Sequence, residues 1–309
     1  LAGDVAVISE ALAERGVSDS RIELLECSEN IGMNESPVEA VRTRKDSTVV
    51  KLAQMASPKA GEQRLDAWIS AGNTGACVTA AQMYMRRLPN VIRPGVAVTI
   101  PTFAGPILLI DVGANIEPKP THLAQYGVMG DIYCRRILGM ASPRVGLMNV
   151  GGEEAKGTSE VKEARDLLKD TSNIDFIGYV EGRGVFNGEA DVVITDGIVG
   201  NVMIKLAEGL SSGIFKAIAN EVFSIDPELA MRFEPVVKSL YAKHDYHEYG
   251  GAPLLGVNGV CMISHGSSIG RTMTNAIKRA RDFVKSGVND AMVEALANTD
   301  SSSLEPIQK

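Results

Sequence analysis

Five short segments carry the residue types that bind an anion and do acyl or phosphoryl chemistry on it. They are Ser70-Ala71-Gly72-Asn73-Thr74-Gly75, Asp111-Val112-Gly113-Ala114-Asn115, Gly151-Gly152-Glu153-Glu154-Ala155-Lys156-Gly157, Asp196-Gly197-Ile198-Val199-Gly200-Asn201 and Ser264-His265-Gly266-Ser267-Ser268. Each follows a short apolar run and precedes a helical pattern. Glycine lets a backbone approach an oxyanion closely, and Ser and Thr hydroxyls add donors. Unpaired N–H groups and partial positive charge at a helix N-terminus complete a phosphate or carboxylate cradle. Any α/β protein needs glycine turns and polar caps at such places, so one loop alone says little. Five of them, with asparagine recurring near glycine, point to a functional edge.

Several familiar motifs come close and fail. Gly182-Arg183-Gly184-Val185-Phe186-Asn187-Gly188 has the first two glycines of a dinucleotide fingerprint, but the third is misplaced and no helix fits before Asp191. In Gly152–Thr158, Lys156 precedes the last glycine, the reverse of a Walker loop. Gly266-Ser267-Ser268-Ile269-Gly270 matches a nucleophile elbow, whose catalytic histidine follows the serine in the chain. The histidines are His122, His244, His247 and His265, and none follows Ser268. His244 and His247 lie near acids in a polar loop without a third ligand, so no metal site is expected. His265 lies on the functional edge, where a structural histidine and a chemical one are both open readings.

The elements that must position these loops alternate. Apolar runs at Arg21–Cys27, Asp66–Ser70, Pro106–Val112, Arg144–Val150, Ile174–Val180, Asp191–Thr195 and Val260–Ser264 read as buried strands. Helices are expected near Thr74–Arg87, His122–Leu138, Ser159–Lys169, Val202–Val222 and Ser268–Ala297. Ser36-Pro37-Val38-Glu39 reads as an N-cap, a first-turn proline and a capping acid. The alternation predicts an α/β fold with a mostly parallel sheet, whose strand C-termini share one ligand-binding edge. One catalytic domain is expected over residues 1–298, with a helical insertion at about 224–245 and a polar tail at 299–309. Tyr246–Gly259, rich in glycine, reads as a turn segment or loop.

The chain has 309 residues, with 31 Lys and Arg against 38 Asp and Glu, a net charge of −7. That balance excludes a generic nucleic-acid binder. The uncharged stretch Pro94–Ile110 is broken by prolines and glycines and reads as strands and turns, not as a membrane span. Cys27, Cys77, Cys134 and Cys261 are too scattered for zinc or CxxC spacing, as expected of cytoplasmic thiols.

The ordered set Ser70–Ala76, Asp111–Asn115, Asn149–Gly151, Asp196-Gly197 with Gly200-Asn201, Tyr249–Val257 and Ser264–Ser268 resembles the PlsX family of phosphate acyltransferases over nearly the whole chain. The resemblance implies an αβα sandwich similar to phosphotransacetylases and the isocitrate dehydrogenase superfamily. It implies transfer of a long-chain acyl group from acyl carrier protein to inorganic phosphate, with no cofactor. It also implies a homodimer that is cytoplasmic and can associate peripherally with membranes. The family opens with a further strand and an Asp- and Gly-rich loop, so Leu1–Asp4 is expected to match the segment after it. A phosphotransacetylase acting on acyl-CoA, or an NAD(P)-linked decarboxylating dehydrogenase, shares the architecture and stays open as an alternative.

On that reading, Gly72, Asn73, Thr74 and Gly75 hold phosphate together with Gly266, Ser267 and Ser268. Asn115 and Asn201 are candidate oxyanion or phosphate donors, and Lys156 is a candidate countercharge. His265 is the candidate to protonate the leaving thiolate or to donate to phosphate. Asp111, Asp196 and Gly200 complete the edge. Pro227–Leu240 and Ala252–Gly256 are candidates to face the fatty chain or carrier, and Arg86-Arg87, Arg135-Arg136 and Lys278-Arg279 to dock an acidic carrier.

Overall fold

The computed structural model describes residues 1–102, 104–243 and 249–298, with the backbone alone for 241–243 and 298. Strands are β1 (Ala2–Gly3), β2 (Leu25–Glu26), β3 (Ala67–Ser70), β4 (Gly95–Thr102), β5 (Gly105–Ile110), β6 (Arg144–Met148), β7 (Asp175–Val180), β8 (Val192–Ile194), β9 (Ala252–Leu255) and β10 (Val260–Ile263). Helices are α1 (Val5–Glu14), α2 (Pro37–Thr43), α3 (Thr48–Met55), α4 (Thr74–Ala80), α5 (Pro120–Tyr133), α6 (Ser159–Lys169), α7 (Gly182–Phe186), α8 (Gly197–Ile225), α9 (Pro227–Lys243), α10 (Gly270–Ser286) and α11 (Val288–Asn298). Eight strands form one sheet in the order β3-β10-β9-β4-β5-β8-β6-β7, and β1 pairs with β2 separately.

Side-chain alternation makes the sheet the middle of three layers. Leu108, Ile110, Val145, Leu147, Val192 and Ile194 point to one side, into a core with α5, α6, α10 and α11. Ile107, Leu109, Val193, Cys261 and Ile263 point to the other, against α2, α3 and α4. Burying each such aliphatic side chain contributes roughly 1.5–3 kcal/mol. Because both faces are covered, the strands read as continuous apolar runs.

Pairing is parallel for β3–β10, β5–β8, β8–β6 and β6–β7, but antiparallel for β10–β9, β9–β4 and β4–β5. Three reversals between β10 and β5 turn the two parallel blocks against each other. The single shared edge is therefore corrected. The loops after β3 and β10 leave one edge of the sheet, and those after β5, β6 and β8 leave the opposite one. The pattern gives β4 no bounds of its own, and it gives neither β9 nor the two-residue β1 as a strand. β4 lies inside the uncharged stretch beginning at Pro94, and β9 inside the segment expected to be a loop.

Helix α8 runs unbroken from Gly197, five residues before the expected start at Val202, and α9 runs from Pro227 within the range expected for the helical insertion. By length and composition α8 is the one described helix that could cross a membrane, although its first turn is packed into the fold. Only Gly197 and Gly200 of α8 are buried. Val202, Leu206, Leu210, Ile214 and Ile218 form an exposed stripe, joined by Leu229, Met231 and Val236 of α9. The 299–309 tail and His244 and His247 lie outside the described residues.

Candidate active site

The loops after β3 and β10 come together because those strands are parallel neighbours, joined at their ends by Ser264 N–H donating to the Ser70 carbonyl at 2.8 Å. Asn73 shapes the first loop. Its side chain caps α4 by accepting from the Ala76 N–H at 3.0 Å, and its amide donates to the Gly32 carbonyl at 3.1 Å. Gly75 is required there, since a Cβ would stand 2.6 Å from Cγ of Pro37. In the second loop, His265 Nδ1 lies 2.6 Å from the Ser267 hydroxyl and accepts from the Ser267 N–H at 3.3 Å. The Ser268 N–H donates to the His265 carbonyl at 2.9 Å. Gly72 and Gly266 lie within these two turns.

Between the loops and α8 is a cavity of ≈ 140 Å³. Thr74, Ser264, His265, Ser268 and Thr272 bring polar groups to it; Val96, Val98, Val112 and Ile263 form its apolar wall. Ile204 and Glu208 close it from α8. The hydroxyls of Ser264 and Ser268 are buried and have no hydrogen-bond partner among the described residues. A buried polar atom left unpaired costs on the order of 1–3 kcal/mol, so two on one small cavity are best explained by an oxygen-rich ligand between them. Ser264, Thr272 and Glu208 were missed in the sequence. Ser264 opens the Ser264–Ser268 motif but reads there as the end of a strand. Thr272 and Glu208 sit inside helices, where only the fold shows which way they point.

The loops of the opposite edge form a second group. Asp111 is fully buried; its Oδ1 accepts from the N–H groups of Val96, Val112 and Ala114, and its Oδ2 from that of Asn115 at 2.6 Å. Burial raises its pKa, and these donors oppose the rise. Asn115 Nδ2 has three acceptors within reach, the Pro94 carbonyl, Asp111 Oδ2 and the Tyr126 hydroxyl, so its two hydrogens are occupied within the fold. Asp196 caps α8 by accepting from the N–H groups of Ile198 and Val199, both at 2.9 Å. Gly197 and Gly200 let the start of α8 press on this loop: a Cβ on Gly197 would lie 2.7 Å from the Asn115 carbonyl, and one on Gly200 would overlap the Asp111 carbonyl.

Thr74, His265 and Ser268 are thus brought onto one cavity, with Gly72, Asn73, Gly75, Gly266 and Ser267 in its loops. Asp111, Asn115, Asp196 and Gly200 build the neighbouring wall. Asn201 lies half-buried on α8 outside the cavity lining, and Lys156 is half-exposed in the loop after β6, paired with Glu153 at 2.7 Å. Neither is gathered with His265.

This mostly parallel α/β sandwich has the fold of the phosphotransacetylases. Two solved structures show that fold: a phosphotransacetylase, EutD, from Staphylococcus aureus (TM-score 0.56, 17% identity, covering 91% of this chain and 85% of that one) and one from Streptococcus pyogenes (TM-score 0.57, 14% identity, 96% and 85%). The sequence matches the family described as "Fatty acid synthesis protein" over residues 1–291. It is 41% identical to a phosphate acyltransferase of Geobacter sulfurreducens over 96% of this chain and 85% of that one. It is 43% identical to one of Halothermothrix orenii over 91% and 84%. The chain belongs to this fatty acid synthesis family and is an acyltransferase.

Proposed function

We propose that the chain transfers a long-chain acyl group from acyl carrier protein to inorganic phosphate, giving acyl phosphate and the free carrier thiol. The observation that carries the phosphate half is the pair of unpartnered hydroxyls, Ser264 and Ser268, on the cavity beside the N-termini of α4 and α10. Phosphate is already ionised near neutral pH and needs position more than activation. One of its oxygens attacks the thioester carbonyl carbon, forming a C–O bond and an oxyanion that preorganised donors stabilise. The C–S bond then breaks, and the proton carried by hydrogen phosphate ends on the thiolate, with His265 as its carrier. No covalent acyl-enzyme and no cofactor enter this scheme.

The exposed apolar stripes of α8 and α9 support a homodimer through the helical pair, and their continuation supports peripheral membrane contact. Leaving a leucine such as Leu206 exposed forgoes roughly 1.5–3 kcal/mol that a partner surface would recover. Four buried free cysteines support a reducing, cytoplasmic setting. The test is incubation with palmitoyl carrier protein and phosphate, following acyl phosphate. The reading is lost if no acyl phosphate forms while acetyl-CoA is turned over instead.

A further inference from the structure

A second cavity, ≈ 950 Å³, opens on the edge of the sheet where β6 and β8 end. Its floor is Leu123, Leu147, Met148 and Val161, from α5, β6 and α6. At its mouth, Ile116 and Val150 are among the most exposed large apolar side chains of the described residues, at 63% and 80%. The volume is that of a ligand site, and a soluble protein gains nothing by leaving such a surface empty. Its rim carries Glu117, Glu160, Glu163 and Asp196 against the single cation Lys119, so the cavity repels a phosphate or a nucleotide and suits an uncharged aliphatic chain.

This cavity adjoins the small one. The loop after β5 puts Val112 in the wall of one and Ile116 in the wall of the other. Helix α8 does the same with Ile204 and Val199, five residues or about 7.5 Å apart along the axis. The loop after β5 and the first turns of α8 are therefore a wall common to the two cavities.

Charge shows from which side an acidic carrier would approach. Arg87 and Arg93 are exposed on the loop before β4, and Lys119 is exposed at the start of α5. Hydrogen bonds fix that juxtaposition: the Ile92 N–H donates to Gln125 Oε1 at 2.8 Å, Gln125 Nε2 donates to the Asn90 carbonyl at 2.8 Å, and the Lys119 N–H donates to His122 Nδ1 at 3.0 Å. All three cations act electrostatically on His122 between them. Lys119 belongs both to this basic cluster and to the cavity rim.

We infer that the ≈ 950 Å³ cavity holds the aliphatic chain of the acyl donor, and that Arg87, Arg93 and Lys119, gathered around His122 outside its acidic rim and reaching it only at Lys119, seat the acidic carrier. This rests on the acyl transfer proposed above. It replaces two sequence expectations, since neither Pro227–Leu240 nor Ala252–Gly256 lines this cavity, and of the basic pairs only Arg86-Arg87 lies near it. Arg135 is instead bound to Asp131 at 2.7 Å.

The test uses the full chain and cis-parinaric acid, a fluorescent fatty acid, together with palmitoyl and octanoyl carrier thioesters. Val161→Trp and, as a second filling variant, Met148→Trp should weaken cis-parinaric acid at least tenfold. They should also move the preference from the palmitoyl toward the octanoyl donor, with the KM for phosphate unchanged. Arg93→Glu should raise the KM for the carrier donor about tenfold, again without moving that for phosphate. The inference is overturned if folded filling variants keep both fatty-acid affinity and chain-length profile, or if Arg93→Glu leaves the donor KM unchanged. Fatty-acid binding at this cavity without acyl phosphate formation would defeat the proposed reaction and support the cavity. Acyl phosphate formation with an unaltered profile in the filling variants would defeat the cavity alone.

Discussion

Asn115 donates from Nδ2 to the hydroxyl of Tyr126 at 2.7 Å, tying the loop after β5 to the helix beneath it. Tyr126 is fully buried, and burial pushes its phenol well above the usual range, so it stays protonated. Tyr126→Phe removes the acceptor and leaves the amide with its other two bonds. It should cost about 1 kcal/mol of stability, whereas Asn115→Ala, which strips Asp111 and the Pro94 carbonyl as well, should cost roughly 1–3 kcal/mol. Denaturant titration of both variants checks the order. Activity should follow the folded fraction, because the bond acts on the loop and not on a ligand.

Ser264→Ala and Ser268→Ala should behave in the opposite way. Each removes a buried hydroxyl that has no partner among the described residues, so stability should hold or rise by a few tenths of a kcal/mol. Phosphate binding should weaken by about 1 kcal/mol or more per hydroxyl, five- to tenfold in KM. Thermal melts with and without phosphate give both numbers. A fall in stability without a change in phosphate affinity would remove these hydroxyls from the site.

How much of this was legible beforehand depended on whether a feature is local. The loop motifs and the cap of α6 are fixed by neighbours in the chain, and Ser159–Lys169 forms the helix its pattern predicts. Strand direction is not local. β4 is buried on both faces, so it shows no alternation, and it turns into β5 within a few residues that read as one broken apolar run. Without the bounds and direction of β4, and without β9, the reversals that send Lys156 to a different edge from His265 stay hidden. The candidates that hold together, Thr74, His265 and Ser268, come from the two loops whose strands are parallel neighbours.

Gly200 offers a test of the wall between the cavities. Its absent side chain is what lets the first turn of α8 lie on the Asp111 carbonyl, a backbone group that cannot rotate away. Gly200→Ala should therefore cost about 1–3 kcal/mol through overpacking despite alanine's better helix propensity. Gly209→Ala, on the same helix with open space around it, should stabilise by up to about 1 kcal/mol. Chemical denaturation of the pair separates packing from propensity, and equal effects would mean that α8 does not press on the loop.

His122 should make stability fall in acid. It is 7% exposed, and burial first, then Arg93, Lys119 and Arg87, lower its pKa from 6.5 to about 4. The unfolded chain binds a proton near pH 6.5 and the folded chain resists until about pH 4, so the unfolded state holds more protons in that window and stability drops as pH falls through it. The loss is on the order of 3 kcal/mol from this residue once pH is below 4. His122→Gln should flatten the stability profile between pH 6.5 and 4. Arg93→Glu should do so in part, by removing one of the three cations and adding an anion that favours imidazolium. Stability profiles that superimpose across that range for wild type and His122→Gln would show that the imidazole is not held neutral, and that the cations at the start of α5 do not converge on it.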